Sequence, residues 1–95
     1  MKEKAFNDYV ESVLGIFRID REDLFAKSKR RDIVDARHLL YYLCFHRPMQ
    51  IRYIQEYMGR NGYEVGHSTI IHGIECVSEK VNEDVDYQQI TKEYA

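Results

Sequence analysis

Apolar residues recur at spacings of three and four along most of the chain, which is the period of a helix with one buried face. Between residues 3 and 17 this stripe consists of Phe6, Tyr9, Val10, Val13, Leu14 and Phe17. Asp20 follows, at a position suited to cap a short helix that carries Leu24 and Phe25. The first quarter of the chain is therefore predicted to be helical.

The same period continues through the rest of the chain and predicts three or four more helices. One should span residues 32–46 and stop at Arg47-Pro48, because proline cannot continue the hydrogen-bond ladder. A second should span residues 50–58, before a glycine-rich loop at residues 59–66. The third should begin at His67 and end at a break over residues 82–86, after which residues 87–94 fit a short last helix.

The expected fold is all-α: one compact helical bundle over residues 1–95. A chain of 95 residues with one proline and five glycines holds a single core and favours helices over a turn-rich sandwich. We divide it into an N-terminal helix and linker (1–24), a central segment (25–83) and a short C-terminal helix or tail (84–95). The helices on either side of residues 59–66 predict a helix-turn-helix, with the second helix presenting its polar start.

The charge is uneven along the chain. The net charge is −2 overall, and it divides into −2 for residues 1–24, +4 for residues 25–73 and −4 for residues 74–95. A basic middle can direct DNA to one face, since the local field meets the phosphates. No apolar run approaches the roughly 20 residues of a membrane helix, and no signal peptide is visible, so a cytoplasmic protein is expected. Cys44 and Cys76 fit reduced thiols.

Two groups of residues are candidates for contact with duplex DNA. At the predicted start of the second helix, His67, Ser68 and Thr69 bring hydrogen-bonding side chains to a helix end that attracts phosphate. Alternatively, Ser68 or Thr69 only caps the helix. The basic run at residues 27–31 precedes Arg37, where such elements bind the DNA backbone, although basic runs are often merely solvated. His38 and Arg60 complete the candidate set.

Residues 24–83 resemble the C-terminal DNA-binding domain of the bacterial replication initiator DnaA. The resemblance is carried by FAKSKRRDIV at residues 25–34, by DARHLLYYL at residues 35–43 and by HSTIIHGI at residues 67–74, which is similar to the family's DHTTVLHA. It implies a Trp-repressor-like helical bundle with a helix-turn-helix that binds replication-origin boxes, and a role in replication or transcription control.

The resemblance also implies a role for each candidate residue. His67, Ser68 and Thr69 would lie at the major groove. Lys29 would replace a minor-groove arginine, Arg37 would be a helix arginine that meets DNA, and the backbone contacts would come from Lys27, Arg30 and Arg31.

The sequence departs from the family at the turn and in the basic run. The stretch from Gly59 to His67 is about four residues longer than the family's turn, while Val65 and Gly66 replace an arginine and an aspartate. Lysine at position 29 is a point charge without arginine's planar fork.

Other functions have weaker support in the sequence. No GxxxxGK[ST] phosphate loop is present, so neither nucleotide binding nor ATP hydrolysis is expected of these residues, and no cofactor is implied. Cys44, His46, His72 and Cys76 match no familiar zinc spacing. The alternative function is a protein-interaction module that keeps the fold without specific DNA binding, with a replication or transcription protein as its partner. The sequence leaves open the oligomeric state and a phage or mobile-element origin.

Overall fold

The computed structural model describes residues 2–94, which form six helices and no strand. In chain order these are α1 (Lys2–Phe17), α2 (Arg21–Leu24), α3 (Arg31–Phe45), α4 (Ile51–Arg60), α5 (His67–Glu83) and α6 (Val85–Tyr94). The predicted all-α helical bundle is confirmed. Within the described residues, no helix is both long enough and apolar enough to cross a membrane.

Helix α3 lies at the centre and packs against α1, α2, α4 and α5. The core combines the apolar stripes of these helices. Its largest fully buried side chains include Phe6, Leu24, Ile33, Leu39, Leu40, Tyr41, Leu43, Ile54, Met58 and Ile70. The apolar positions that predicted the helices are therefore largely those that hold them together.

The crossing of α3 and α5 is close because of Gly73. A Cβ atom at Gly73 would lie 2.8 Å from Cδ2 of His38 and 2.9 Å from Cδ2 of Tyr41. Both distances are shorter than van der Waals contact, so a residue with a side chain would push the two helices apart. The crossing brings the start of α5 beside the middle of α3.

The turn between α4 and α5 is shorter than the sequence predicts. Gly59 and Arg60 belong to α4, so the connection covers only residues 61–66. Helix α4 ends in a Schellman motif: the N–H of Gly62 donates to Gly59 O at 3.0 Å, and the N–H of Tyr63 donates to Met58 O at 3.0 Å. Gly62 has a φ of +90°, which glycine adopts at low cost.

The predicted break over residues 82–86 is also too wide. Helix α5 continues to Glu83 and α6 begins at Val85, so Asp84 alone separates them. The Asp84 carboxylate accepts a hydrogen bond from the N–H of Asp86 at 2.8 Å. An aspartate in this position begins a new helix directly, because its side chain satisfies a free N–H group of the first turn.

Candidate nucleic-acid interface

The start of α5 is open to solvent. Gly66 is its N-cap, and no side chain caps the helix. Among the described residues, the N–H groups of His67, Ser68 and Thr69 find no acceptor, and the first bond of the helix runs from Ile70 N to Gly66 O at 3.2 Å. All three side chains are exposed. The capping alternative for Ser68 or Thr69 is therefore wrong, and both hydroxyls are available to a ligand.

The basic loop, which we define as residues 25–30, connects α2 to α3. Lys27 and Lys29 are exposed, and neither has a carboxylate within 4.0 Å among the residues described. The loop also contains two tight internal bonds, from Ser28 N to Ala26 O at 2.9 Å and from Arg30 N to Ser28 Oγ at 3.2 Å. It therefore presents two free ammonium groups from an ordered backbone.

Arginines 30 and 31 are exposed but partly neutralised. Arg30 makes a forked contact with Asp32, with Nε at 3.2 Å from Oδ1 and Nη2 at 2.9 Å from Oδ2. Arg31 lies 3.7 Å from Asp35, which also accepts a hydrogen bond from Lys80 at 3.2 Å. Hydrogen bonding to Arg30 lowers the pKa of Asp32, so this carboxylate remains charged at neutral pH. A phosphate would compete with these carboxylates for both arginines.

A groove of about 210 Å³ joins the basic loop to the start of α5. It contains candidate residues from three parts of the chain. Its lining comprises Ser28, Lys29, Val34, Arg37, His38, Tyr41, Tyr63 and Thr69. Residues 40 positions apart in sequence thus share one concave face, with a cation on one side and the open end of α5 on the other.

His38 is half-buried between this groove and a second cleft of about 240 Å³ that contains Asp35, His72 and Lys80. Burial lowers the pKa of His38, and the neighbouring charge of His72 lowers it further, while Asp35 opposes the shift. His38 is therefore neutral at pH 7. A neutral imidazole on this face provides a hydrogen bond, not a cation.

Arg37 does not fit the expected direct contact with DNA. Its side chain is only 4% exposed. The guanidinium donates from Nε to Leu24 O at 2.8 Å and from Nη1 to Ser28 O at 3.0 Å, and Nη2 bonds Ala26 O. All these acceptors lie in or next to the basic loop. Because its donors point into the protein, Arg37 holds the loop from the inside.

Arg60 is not brought to the groove. It pairs with Glu3 at 3.0 Å and with Glu56 at 2.5 Å, beside the outer side of α4. The sequence places Arg60 next to the turn, but the extra helical residues at the end of α4 direct it toward α1. It is therefore a weak candidate for phosphate contact.

Tyr63 was missed in the sequence analysis, although it lines the groove. The signal was present in Asn61-Gly62, since a glycine that ends a helix is commonly followed by an apolar residue that packs back on the helix. Tyr63 occupies this position.

The cysteines and histidines give no support to a metal site. Cys44 is buried in the core, where burial raises the pKa of its thiol, and the His46 ring packs at a tilt against Tyr42. His72 Nε2 lies 3.4 Å from Cys76 Sγ. Within the described part of the chain, no three histidine, cysteine, aspartate or glutamate side chains are arranged to hold a metal ion.

Comparison with known proteins identifies the family. Residues 8–77 match the family described as bacterial dnaA protein helix-turn-helix. The chromosomal replication initiator protein DnaA of Porphyromonas gingivalis is 27% identical over 88 residues, and that of Flavobacterium psychrophilum is 26% identical over 93 residues. These matches cover 92% and 94% of this chain but only 18% of each relative. No solved structure gives a significant match. The family match covers most of the chain, and the chain therefore belongs to the bacterial DnaA helix-turn-helix family.

Proposed function

We propose that this chain binds double-stranded DNA, with α5 in the major groove and the basic loop on the adjacent backbone or minor groove. The observation that carries the proposal is the uncapped start of α5, which faces the same groove as Lys29. Free N–H groups and the helix dipole favour phosphate, and hydroxyl and imidazole groups at this position reach base edges. The relatives are named as chromosomal replication initiators, so origin recognition is the process we propose.

The proposal divides the site into two kinds of contact. Lys27 and Lys29 supply phosphate contacts, which set affinity for any sequence, while Arg30 and Arg31 join them once released from Asp32 and Asp35. His67, Ser68 and Thr69 supply base contacts, which set sequence preference. His38 lies between the two groups and adds a neutral hydrogen-bonding side chain.

The deciding experiment is an anisotropy titration at several salt concentrations. The protein is added to labelled duplexes of random sequence and to duplexes selected from a random pool for binding to it. We expect binding that weakens as salt rises, with a logarithmic slope of about 0.9 for each phosphate contacted. Lys29→Ala should lower this slope by about one such contact for every duplex. Thr69→Val should instead change the preferred sequence. Absence of binding to any duplex at low salt would overturn the proposal.

The matched control is Lys4→Ala. This lysine pairs with Asp8 on α1, which contributes no side chain to the groove. The substitution removes the same charge as Lys29→Ala. Duplex affinity should remain unchanged, which separates local contact from a change in net charge.

The ion pairs at the start of α3 favour a second candidate, a protein-interaction module. Arg30 and Arg31 both contact carboxylates, which reduces the positive field available to DNA. Capture of a defined replication or transcription protein that persists after nuclease treatment would support this candidate. It would be favoured over DNA binding only if the duplex titrations also failed.

A further inference from the structure

The buried guanidinium of Arg37 has no carboxylate partner within 4.0 Å among the described residues. Its acceptors are main-chain carbonyls on both sides of the bend that forms the basic loop, at Leu24, Ala26 and Ser28. Arginine suits this task because its planar fork donates in several fixed directions at once, which lysine cannot do. The side chain therefore fixes the shape of the loop and leaves its own charge unneutralised.

The same guanidinium also contacts the turn of the helix-turn-helix. Its Cζ atom lies over the ring of Tyr63, 4.4 Å from the ring centroid. Tyr63 is held in place by the Schellman motif at the end of α4, and Gln55 Nε2 bonds Val65 O at 2.9 Å two residues later. Gly66 and the open start of α5 follow immediately. One side chain thus contacts both the basic loop and the turn that leads into α5.

From this geometry we infer that Arg37 and Tyr63 form a clamp that sets the position of Lys29 relative to Thr69, and so tunes DNA affinity without touching DNA. The inference rests on the proposed function. Both are positioning residues. They align the phosphate-binding loop with the base-reading helix before DNA arrives, which lowers the ordering cost of binding.

Comparing Arg37→Lys with Arg37→Gln separates positioning from direct contact. If Arg37 met phosphate, lysine would restore most of the affinity, and glutamine would lower the salt slope by about one contact. For the clamp we expect both variants to lose about tenfold or more in affinity. Arg37→Lys should keep the wild-type salt slope, since the phosphate contacts themselves remain.

Tyr63 provides a second test in case the Arg37 variants are unstable. Tyr63→Phe keeps the ring face over the guanidinium and should bind DNA like the wild type. Tyr63→Leu keeps apolar bulk but removes the ring, and should weaken binding while the thermal midpoint changes little. Equal binding by the phenylalanine and leucine variants would overturn the role of the ring.

Amide hydrogen exchange of the free protein tests the clamp separately from DNA binding. Arg37→Lys should speed exchange at Ser28 and Arg30, the loop amides with internal acceptors, while the amides in the middle of α1 keep their protection. If the wild type bound no duplex but the loop amides still responded, the proposed function would fail and only the structural clamp would stand. Unchanged loop exchange, or restoration of affinity by lysine, would overturn the inference.

Discussion

At the residue scale, single atoms decide how closely elements approach, and Gly73 is the clearest case. Gly73→Ala places a Cβ atom against the rings of His38 and Tyr41, and Tyr41 is fully buried and cannot move aside. We expect the free energy of unfolding to fall by about 1–3 kcal/mol, reduced somewhat by alanine's better helix propensity. Urea unfolding measures this change.

Gly15→Ala is the matched control for Gly73→Ala. Gly15 is also helical, but a Cβ atom there would meet nothing within 4 Å. Alanine should therefore stabilise α1 by up to about 1 kcal/mol. If both substitutions changed stability in the same direction, the close crossing of α3 and α5 would not be the reason for glycine at position 73.

Also at the residue scale, His38 makes the stability of the fold depend on pH. Its pKa is lowered in the folded state by burial and by His72, so folding favours the neutral ring. The unfolded chain therefore binds a proton at His38 more readily than the folded chain does. The contribution of neutral His38 to the free energy of unfolding is lost as the pH falls below the ordinary histidine pKa of about 6.5. Urea unfolding should show that the free energy of unfolding falls less between pH 7 and pH 5.5 for His38→Gln than for the wild type.

The exposed His46 directly follows α3 and lies outside the cleft that contains His38, so it provides the control for this pH effect. His38→Gln should change the pH dependence of the unfolding free energy more than His46→Gln does. A His38→Gln variant that kept the full pH dependence of the wild type would show that His38 is not responsible for it.

At the element scale, the end of α4 fixes the helix-turn-helix. Gly62→Ala forces an alanine into a φ of +90°, which should cost about 1 kcal/mol or more. Gly62→Asn should cost less, because asparagine tolerates the left-handed region. Thermal unfolding compares the two variants. Equal midpoints for both variants and the wild type would contradict the role of the Schellman motif.

Local sequence signals predicted the elements well where they were strong. The apolar stripe gave α1, and Pro48 together with the stripe placed the end of α3 within one residue. The ends of α4 and α5 were less predictable. Gly59 occurs inside a helix because Met58 beside it is buried in the core, and Asp84 restarts a helix at once by accepting an N–H bond. At these two places packing and capping extended the helices past residues that usually end a helix.

At the scale of the whole molecule, the basic residues 27–31 supply the positive side of the groove through Lys29, and nearby carboxylates neutralise part of their charge. Asp32→Asn should release Arg30 for DNA, because the forked contact that competes with phosphate is removed. We expect duplex affinity to rise up to about fivefold at low salt, because an exposed ion pair holds its partner only weakly. The salt slope should steepen as well.

Asp8→Asn provides the control for this charge effect. Asp8 pairs with Lys4 on α1, away from the groove, and its substitution changes the net charge of the chain by the same amount. Anisotropy titrations should show little change in affinity. An equal gain from both variants would mean that net charge, and not release of Arg30, controls binding.

The sequence by itself determined the helical class, the helix-turn-helix and the candidates at both ends of the site, because these depend on local periodicity, glycine, proline and charge. Only the tertiary structure decided what Arg37 does. Its charge and its place beside the basic run predicted a DNA contact, but the fold closes residues 24–28 around it and brings Tyr63 over it. Burial and hydrogen-bond partners come from segments distant in sequence, so periodicity carries no information about them.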